Sequence, residues 1–191
     1  DELVQACRAA GGDAVAVPTD VSDESACRRL IEAAVGRHGR IDVLVNNAGI
    51  TMWARFDALT SSDIFERLLR VNFLGAVNCY WASLAALVES HGTFVHVSSA
   101  LAYRGIPLQA AYCSSKAAGR AFFESARVEH EKHDIPVAIS LVLPGAINTP
   151  QFDVARQYMG KQPQPVPPIY QPEPFADAVV HCFEHPVREL P

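Results

Sequence analysis

Two polar side chains near the middle of the chain have the spacing of an acid/base pair. Tyr112 and Lys116 follow a loop that contains Gly105 and Pro107, in a run of small residues that favours a helix. Residues four apart on a helix lie on the same face, so the phenol and the ammonium point into the same space. A cation beside a phenol favours the phenolate and lowers its pKa from about 10, which suits a general acid/base. Because the same spacing occurs by chance on many helices, its meaning depends on the surrounding chain.

A serine that can reach the same substrate atom comes after a predicted strand. The apolar run Thr93–Val97 leads into Ser98 and Ser99, and Ser99 precedes Tyr112 by thirteen residues. A serine hydroxyl can donate to the oxygen that exchanges its proton with the phenol. We therefore take Ser99, Tyr112 and Lys116 as candidate catalytic residues.

Apolar strands alternate with helices along the chain. We predict strands at residues 14–17, 41–45, 93–97 and 137–143. Helices are predicted at residues 1–10, from the cap Ser22 to about residue 38, at 62–89, through Tyr112 to about residue 132, and at 175–183. Strands rich in Val, Ile and Leu that alternate with helices indicate an α/β fold, a parallel sheet with helices on both faces.

The unusual loops all lie after the carboxyl ends of predicted strands, where ligands bind in folds of this class. These loops are Asp20 with Val21, residues 46–49, Ser98 with Ser99, and Pro144 with Gly145. They predict the rim of an active site without naming its chemistry.

A proline-rich segment comes after the fourth predicted strand. Residues 150–174 hold seven of the thirteen prolines and several aromatic side chains. One interpretation is a semi-rigid linker of polyproline character. The other, which we favour, is a lid that lines an apolar substrate pocket.

Composition bounds the class of protein. With 191 residues and 49% hydrophobic composition, the chain is expected to form a single domain over residues 1–191. The net charge of −5 without a basic run argues against nucleic-acid binding. No apolar stretch of sequence approaches the roughly 20 residues of a membrane span, so we expect no membrane segment. Five scattered cysteines without a Cys-x-x-Cys pair indicate reduced thiols in the cytoplasm and no metal site.

Taken together, these motifs resemble the single-domain short-chain dehydrogenase/reductases. The resemblance is strong from about residue 11 to residue 150 and weaker beyond, and it rests on Asn-Asn-Ala-Gly at residues 46–49, Asn72, Ser99, Tyr112, Lys116, and Pro144 with Gly145. It implies a Rossmann-like doubly wound sheet and an NAD(P)(H)-dependent oxidoreductase that interconverts an alcohol and a ketone or aldehyde.

The resemblance assigns roles to four residues. Tyr112 would give a proton to the carbonyl oxygen or take one from the hydroxyl. Lys116 would lower the pKa of Tyr112 and bind the nicotinamide ribose, while Ser99 would orient the substrate oxygen. Asn72 would hold a water that links Lys116 to solvent, although an amide that merely satisfies its own backbone is the competing interpretation.

The family also implies cofactor contacts. Asp20 would accept a hydrogen bond from the adenine amino group, unless it only caps a helix, and Val21 would add a backbone contact. Asn47, Ala48 and Gly49 would pass beneath the adenosine half, unless they form only a turn. Ile147 and Thr149 would meet the nicotinamide carboxamide, unless Thr149 instead caps a helix near Gln151. The other implied contacts are Tyr112, Lys116, Pro144 and Gly145.

The sequence departs from the family at both ends. The glycine-rich phosphate loop, Gly-x-x-x-Gly-x-Gly, does not occur in the chain. We expect the first strand, first helix and second strand to be absent and the final strand to be cut off near Pro191. We therefore expect an incomplete sheet that belongs to a larger enzyme, or else a truncated product. The choice between NAD and NADP is unreadable, because the selecting residue normally ends the missing second strand.

Other functions compete with this interpretation. A truncated or non-catalytic family member could act as a binding or assembly partner. A sugar-nucleotide epimerase shares Tyr-x-x-x-Lys, but the Asn-Asn-Ala-Gly turn and the short C-terminal part argue against it. For the enzyme, we expect a small-molecule substrate, an apolar or medium-sized alcohol or carbonyl compound. We also expect a homodimer or homotetramer formed through the helices near Asn72 and Lys116.

Overall fold

The computed structural model describes residues 2–160 and 162–191. Its helices are α1 Glu2–Ala9, α2 Glu24–His38, α3 Asp63–Leu69, α4 Gly75–Ser90, α5 Ala110–Lys132, α6 Gln151–Val154 and α7 Pro172–Glu184. Its strands are β1 Val43–Asn46, β2 Met52–Trp53, β3 Thr93–Val97, β4 Ala138–Val142, β5 Ala146–Ile147, β6 Arg156–Gln157, β7 Ile169–Tyr170 and β8 Glu189–Leu190. A π-helical segment, Arg70–Leu74, joins α3 to α4, and Ala100–Ala102 forms a 3-10 turn after β3.

The main sheet is parallel, with the strand order β1-β3-β4-β8. Its register places Asn46 opposite His96 and Val97 opposite Val142. The carboxyl ends of β1, β3 and β4 therefore meet at one edge, as the α/β prediction requires.

Helices cover both faces of this sheet. Successive side chains of its buried strands point to opposite faces, so each face presents apolar side chains to the helices. Phe94 of β3 packs against Tyr80 of α4 and Phe123 of α5, with ring centroids 4.5 and 4.7 Å away. Its neighbour Val95 belongs to a second core cluster with Val179 of α7. The predicted doubly wound, Rossmann-like α/β arrangement is confirmed.

The strand predicted at residues 14–17 does not form. This segment has no regular secondary structure, and Val15 is 48% exposed. Its apolar run favours a strand, but a strand needs a hydrogen-bonded neighbour, and no described strand pairs with it. Side chains hold the segment instead: Arg37 binds Asp13 at 2.5 Å, and Arg8 donates to the carbonyl of Ala14 at 3.2 Å.

The final strand, which we expected to be cut off near Pro191, is present as a strand of two residues. The short strand β8 pairs in parallel with β4, with Glu189 opposite Leu141 and Leu190 opposite Val142. The backbone N–H of Leu143 extends the ladder by donating to the carbonyl of Leu190 at 2.8 Å. The strand that β8 pairs with, β4, is buried at four of its five residues.

The cap of α2 lies one residue later than predicted. Asp23, not Ser22, is the N-cap, and its carboxylate accepts from the backbone N–H of Ser25. An aspartate there also places negative charge at the positive end of the helix.

The helical region from α3 to α4 meets the length and composition test for a membrane span, contrary to the prediction that no segment approaches it. Residues 63–90 form 28 helical residues, and an 18-residue window has a mean hydropathy of 1.5. A core helix of a soluble protein passes the same test, and 39% of this window is buried inside the structure. The helix is therefore weak evidence for a membrane.

Gly75, the first residue of α4, allows the loop after residue 19 to approach this helix. A Cβ atom at Gly75 would lie 2.7 Å from Cγ2 and 3.1 Å from Cβ of Val21, too close without a shift. Asn78, one turn later, donates to the carbonyl of Val21 at 3.0 Å. Glycine thus fixes the position of Val21 against α4.

We expect Gly75→Ala to lower the free energy of unfolding by about 1–3 kcal/mol, because the added methyl overpacks Val21. Gly36→Ala is the control, since a Cβ there meets nothing within 4 Å and helix propensity favours alanine by about 0.5–1 kcal/mol. Urea denaturation of both variants measures the difference. A Gly75→Ala protein as stable as Gly36→Ala would contradict this packing.

Candidate active site

The loops after β3 and β4 are bonded to each other at the edge where the strands end. The N–H of Ser98 donates to the carbonyl of Val142 at 2.8 Å, and the N–H of Ala100 donates to the carbonyl of Pro144 at 3.0 Å. These bonds continue the parallel ladder beyond the strands. The serine pair and the Pro144–Gly145 turn therefore share one rim, as predicted.

Helix α5 presents Tyr112 and Lys116 to this rim. Lys116 is 5% exposed, and its Nζ donates to the carbonyl of Val97, the last residue of β3, at 3.0 Å. The same Nζ lies 5.8 Å from the centroid of the Tyr112 ring. The predicted pair therefore shares one helix face, with the ammonium beside the phenol ring.

Burial governs the pKa of both groups. Desolvation raises the pKa of Tyr112 to about 12, although an interaction with the Ser99 hydroxyl opposes the shift. Desolvation lowers the pKa of Lys116 to about 8. The net shift of the Tyr112 pKa is therefore upward, so Tyr112 holds its proton at neutral pH. The role of Lys116 in lowering that pKa stays a prediction.

Ser99 is buried and caps a turn. Its Oγ accepts from the backbone N–H of Leu101 at 3.1 Å, as the N-cap of the Ala100–Ala102 turn. With a lone pair of Oγ committed to Leu101, the hydroxyl proton is free to donate elsewhere. The Ser99 hydroxyl also acts on the Tyr112 phenol, since it opposes the rise in the Tyr112 pKa.

The Asn72 side chain forms hydrogen bonds with the backbone of another residue, Ile50, and not with its own backbone. Its Oδ1 accepts from the N–H of Ile50 at 2.8 Å, and its Nδ2 donates to the Ile50 carbonyl and to Ser115 Oγ, both at 2.9 Å. Ser115 in turn donates to the carbonyl of Tyr112 at 2.7 Å. Asn72 thereby links the Asn-Asn-Ala-Gly turn to α5, from a π-helical segment of the kind often found at functional sites. Its water-holding role stays a prediction.

Two buried polar residues near the site, Ser115 and His96, were not predicted from the sequence. Ser115 is fully buried, and its position three residues after Tyr112 on the inward face was the available signal. His96 Nδ1 lies 2.9 Å from Asn46 Nδ2, and burial together with Lys116 lowers the pKa of His96 to about 3. Because the amide nitrogen of Asn46 is a donor, Nδ1 of the neutral ring is the acceptor.

The turn of Asn47, Ala48 and Gly49 is exposed beside the buried pair. A Cβ atom at Gly49 would lie 3.5 Å from Asn72 Oδ1 and 3.6 Å from Lys116 Nζ. An ammonium carries three donors, and only Val97 accepts from Lys116 among the described residues. The remaining donors are available to hydroxyl groups such as those of a ribose.

Asp20 and Val21 lie along the same rim. Asp20 Oδ1 accepts from the N–H and the Oγ of Ser22 at 2.9 and 2.7 Å, and these bonds lower the pKa of Asp20. Asp20 therefore forms a turn before α2 and does not cap the helix. It also lines a cleft of about 390 Å³ that reaches Ile50, next to Gly49, and its other walls are Ser22, Asp63, Glu66, Arg67, Arg70 and Val71.

The predicted carboxamide contacts lie on the other side, against the proline-rich segment. Ile147 pairs with Tyr170 through β5 and β7, and a Cβ atom at Gly145 would lie 4.0 Å from the Tyr170 ring. Thr149 is half-buried and does not cap α6, whose N-cap is Pro150 without a side-chain bond. Ile147 ends β5, and Thr149 follows it in the segment that leads away from the Pro144–Gly145 turn.

Residues 150–174 are tied to segments that form the site. Strand β6 pairs with β2, and the N–H of Tyr158 donates to the carbonyl of Trp53 at 2.9 Å. Gln109, which precedes α5, donates from Nε2 to the carbonyl of Met52 in β2 at 2.9 Å. The segment is therefore connected to the start of the helix that carries Tyr112.

Within the described residues, no group of three or more His, Cys, Asp or Glu side chains is placed to hold a metal ion.

A family model described as short chain dehydrogenase matches residues 1–159. An uncharacterized oxidoreductase of Bacillus subtilis, YxnA, is 34% identical over 195 residues, which covers 99% of this chain and 54% of that protein. The 11-beta-hydroxysteroid dehydrogenase-like 2 protein of Arabidopsis thaliana is 37% identical over 147 residues, 74% of this chain and 46% of that protein. The chain spans about half the length of the curated relatives it matches.

A solved structure resembles the whole fold. The alcohol dehydrogenase of the archaeon Thermococcus sibiricus, complexed with 5-hydroxy-NADP, superposes with a TM-score of 0.82 at 26% sequence identity. The match covers 97% of this chain and 77% of that one.

Because the Lys116 ammonium is buried, we expect its removal to stabilise the folded protein. Below pH 8 Lys116 is charged in the folded and unfolded states, and folding bears its full desolvation cost; between pH 8 and 10.5 only the unfolded state binds the proton, so stability rises with pH. We expect Lys116→Met to be more stable than wild type at pH 7, with the gap shrinking by roughly 2–3 kcal/mol as pH rises to about 10. Urea denaturation across this range measures it, and a gap that does not change with pH would contradict the assignment.

Proposed function

The chain belongs to the short chain dehydrogenase family, and we propose that it is an NAD(P)(H)-dependent oxidoreductase that interconverts an alcohol and a ketone or aldehyde. The observation that carries the proposal is the meeting of three groups where β3 ends: the Tyr112 phenol, the Ser99 hydroxyl and the buried Lys116 ammonium. A proton donor, a second hydroxyl and a fixed cation around one space suit proton transfer at a substrate oxygen.

In the direction of reduction, Tyr112 gives its proton to the carbonyl oxygen of the substrate. Because burial holds the pKa of Tyr112 near 12, the phenol is protonated at neutral pH and ready to donate. In oxidation it must accept the hydroxyl proton, and the neighbouring positive charge of Lys116 stabilises the phenolate that is needed. The burial of both groups strengthens their electrostatic interaction.

Ser99 and Asn72 support this transfer in different ways. The Ser99 hydroxyl donates to the substrate oxygen as negative charge develops on it, and its bond from Leu101 fixes the direction of that donation. Asn72 holds the loop at Ile50 and, through Ser115, the first turn of α5. We infer that a water near Asn72 connects Lys116 to solvent and replaces the proton.

The cofactor half of the proposal rests on the rim around Gly49. Nicotinamide, when bound, supplies or accepts the hydride. Lys116 binds the adjoining ribose, the exposed Asn47–Gly49 turn lies under the adenosine, and Asp20 takes the adenine amino group. Ile147 and Thr149, which follow β4 in the chain, meet the carboxamide, and Pro144 with Gly145 supplies a further cofactor contact. Either NAD or NADP remains compatible with these residues.

We propose that residues 150–174 form a lid over an apolar substrate. The Phe152 ring lies 6.5 Å from the ring of Trp53, and β6 joins the segment to β2. Ordered contacts at both β6 and β7 favour a lid over a linker. Apolar surface at these contacts suits a small hydrophobic alcohol or carbonyl compound.

The proposal extends to a homodimer or homotetramer in the cytoplasm. Leu74 and Trp81 lie two turns apart on one face of the α4 region, and Trp81 is 67% exposed. An exposed indole on an apolar helix face favours self-association. All five cysteines are free, in keeping with a reducing compartment.

We expect Trp81→Glu to shift the protein to a smaller assembly, because it places a charge in the centre of this face. Light scattering after size exclusion gives the mass, and Val180→Glu, a change at an exposed residue of α7, is the matched control. A wild-type mass of one chain would refute the oligomer.

Tyr112→Phe tests the catalytic proposal in the full chain. Removal of the phenol proton is expected to lower kcat by about 10²–10⁴-fold, since general acid–base catalysis contributes that much. Oxidation of NADH or NADPH with cyclohexanone, acetophenone and benzaldehyde as probes reports turnover. Tyr80→Phe is the control, because it removes a buried hydroxyl that bonds His130 at 3.0 Å, outside the site.

Two outcomes of this experiment would contradict the proposal. Unchanged turnover in folded Tyr112→Phe protein would remove Tyr112 from the mechanism. Binding of a nicotinamide dinucleotide without turnover of any probe by the wild type would favour the alternative, a non-catalytic member that acts as a binding or assembly partner.

A further inference from the structure

Three side chains outside the catalytic group connect the site to the last strand of the sheet. Tyr103 donates its hydroxyl proton to Glu189 of β8. Arg120 of α5 donates from Nε to the other carboxylate oxygen of Glu189 at 3.0 Å. The Arg120 guanidinium also lies over the Tyr103 ring, 3.9 Å from its centroid. We call these residues the Tyr103–Arg120–Glu189 cluster.

Each member of the cluster belongs to a different part of the site. Tyr103 ends the turn that Ser99 begins, because its N–H donates to the carbonyl of Ala100 at 3.2 Å. Arg120 comes one helical turn after Lys116, on the same face of α5. Glu189 lies in β8, beside β4. The cluster therefore joins the two elements that carry the proposed catalytic residues.

The contacts are of a kind that holds a loop in place. The Arg120 and Glu189 side chains are each only 23% exposed, so solvent screens their interaction less than a surface pair. Hydrogen bonds to a charged group are also stronger than neutral ones, and the guanidinium stacks on the ring. Nearby, Arg188 pairs with Glu124 at 2.9 Å, but the Arg188 side chain is 70% exposed.

We propose that Glu189, acting through Tyr103 and Arg120, is a positioning residue that sets the Ser99 hydroxyl against Tyr112. This inference rests on the proposed function. The start of the turn at Ser99 is held by the loop after β4, because the N–H of Ala100 donates to the carbonyl of Pro144. The cluster fixes the far end of the same short turn to the helix that presents Tyr112. Loss of this anchor lets the turn move, so the direction in which Ser99 donates is no longer defined.

Amide hydrogen exchange gives a readout that does not need activity. The N–H groups of Leu101 and Ala102 bond to Ser99 Oγ and to the Ser99 carbonyl, so their exchange rates report the order of the Ser99 turn. We expect Glu189→Gln and Tyr103→Phe each to raise both rates by roughly threefold or more, as the loss of a charge-assisted bond implies. The double variant should do no more than the larger single effect, because both changes break one link.

Arg188→Gln is the matched control in the same region of the chain. It breaks the ion pair to Glu124, a carboxylate that also pairs with Arg120 at 3.2 Å, but it changes no side chain of the Tyr103–Arg120–Glu189 cluster. We therefore expect it to leave the exchange of Leu101 and Ala102 unchanged. In turnover assays with the probes used for Tyr112, we expect the two cluster variants to lower kcat with little change in KM. Their defect comes from proton transfer geometry and not from binding.

Two results would overturn the inference. One is unchanged exchange of Leu101 and Ala102 in both cluster variants; the other is an equal increase in Arg188→Gln, which would indicate a general loosening of β8. The exchange result stands whatever Tyr112→Phe does to turnover, so a failure of the cluster and a failure of the proposed function are distinguishable.

Discussion

The Lys116 ammonium is a buried charge with a single described acceptor, the carbonyl of Val97. Burial of a charge is costly unless the fold provides partners, so the surroundings of this group are constrained. The acceptor is the last carbonyl of β3, so Lys116 of α5 must lie at the carboxyl end of that strand. Ser98 and Ser99 come next in the chain, and Tyr112 lies one turn earlier on the helix. The position of one charge therefore fixes the position of the proposed acid and its neighbour.

The other loops are brought to this charge by the parallel sheet. Because β1, β3 and β4 run in the same direction, the loops at their carboxyl ends all reach the same edge. Gly49 lies close to Lys116 after β1, and Pro144 bonds the serine turn after β4. Asn72 then ties the first of these loops to α5 through Ser115. The common direction of the strands brings the loops to one edge, and side-chain hydrogen bonds then fix the loops in place.

Sequence could predict the parts of this arrangement that depend on local pattern. Strand β3 has the predicted bounds, α5 ends where expected, and Tyr112 and Lys116 share a helix face because four-residue spacing is a local property. The strand predicted at residues 14–17 was wrong, because an apolar run forms a strand only when another strand pairs with it. Strand β8 was missed for the converse reason, since two residues pair only because β4 is beside them.

Pairings between distant residues were beyond the sequence. Arg120 continues the spacing of Tyr112 and Lys116, yet nothing local places Glu189, 69 residues further on, next to it. Asn72 illustrates a subtler limit: the residue type was recognised, but its bonds go to Ile50 and Ser115, which only the tertiary fold brings near. The sign of the Tyr112 pKa shift also needed the burial that the structure shows.

A direct titration of Lys116 tests whether this charge is as buried as the proposed site requires. Side-chain NMR of protein labelled at lysine, assigned with Lys116→Met, measures the charge of this one group across pH. We predict that Lys116 titrates with a pKa of about 8, well below its ordinary value of 10.5, because it is buried at the end of β3. A Lys116 resonance that titrates at the ordinary value of 10.5 would show a solvated ammonium and contradict the buried acid/base site.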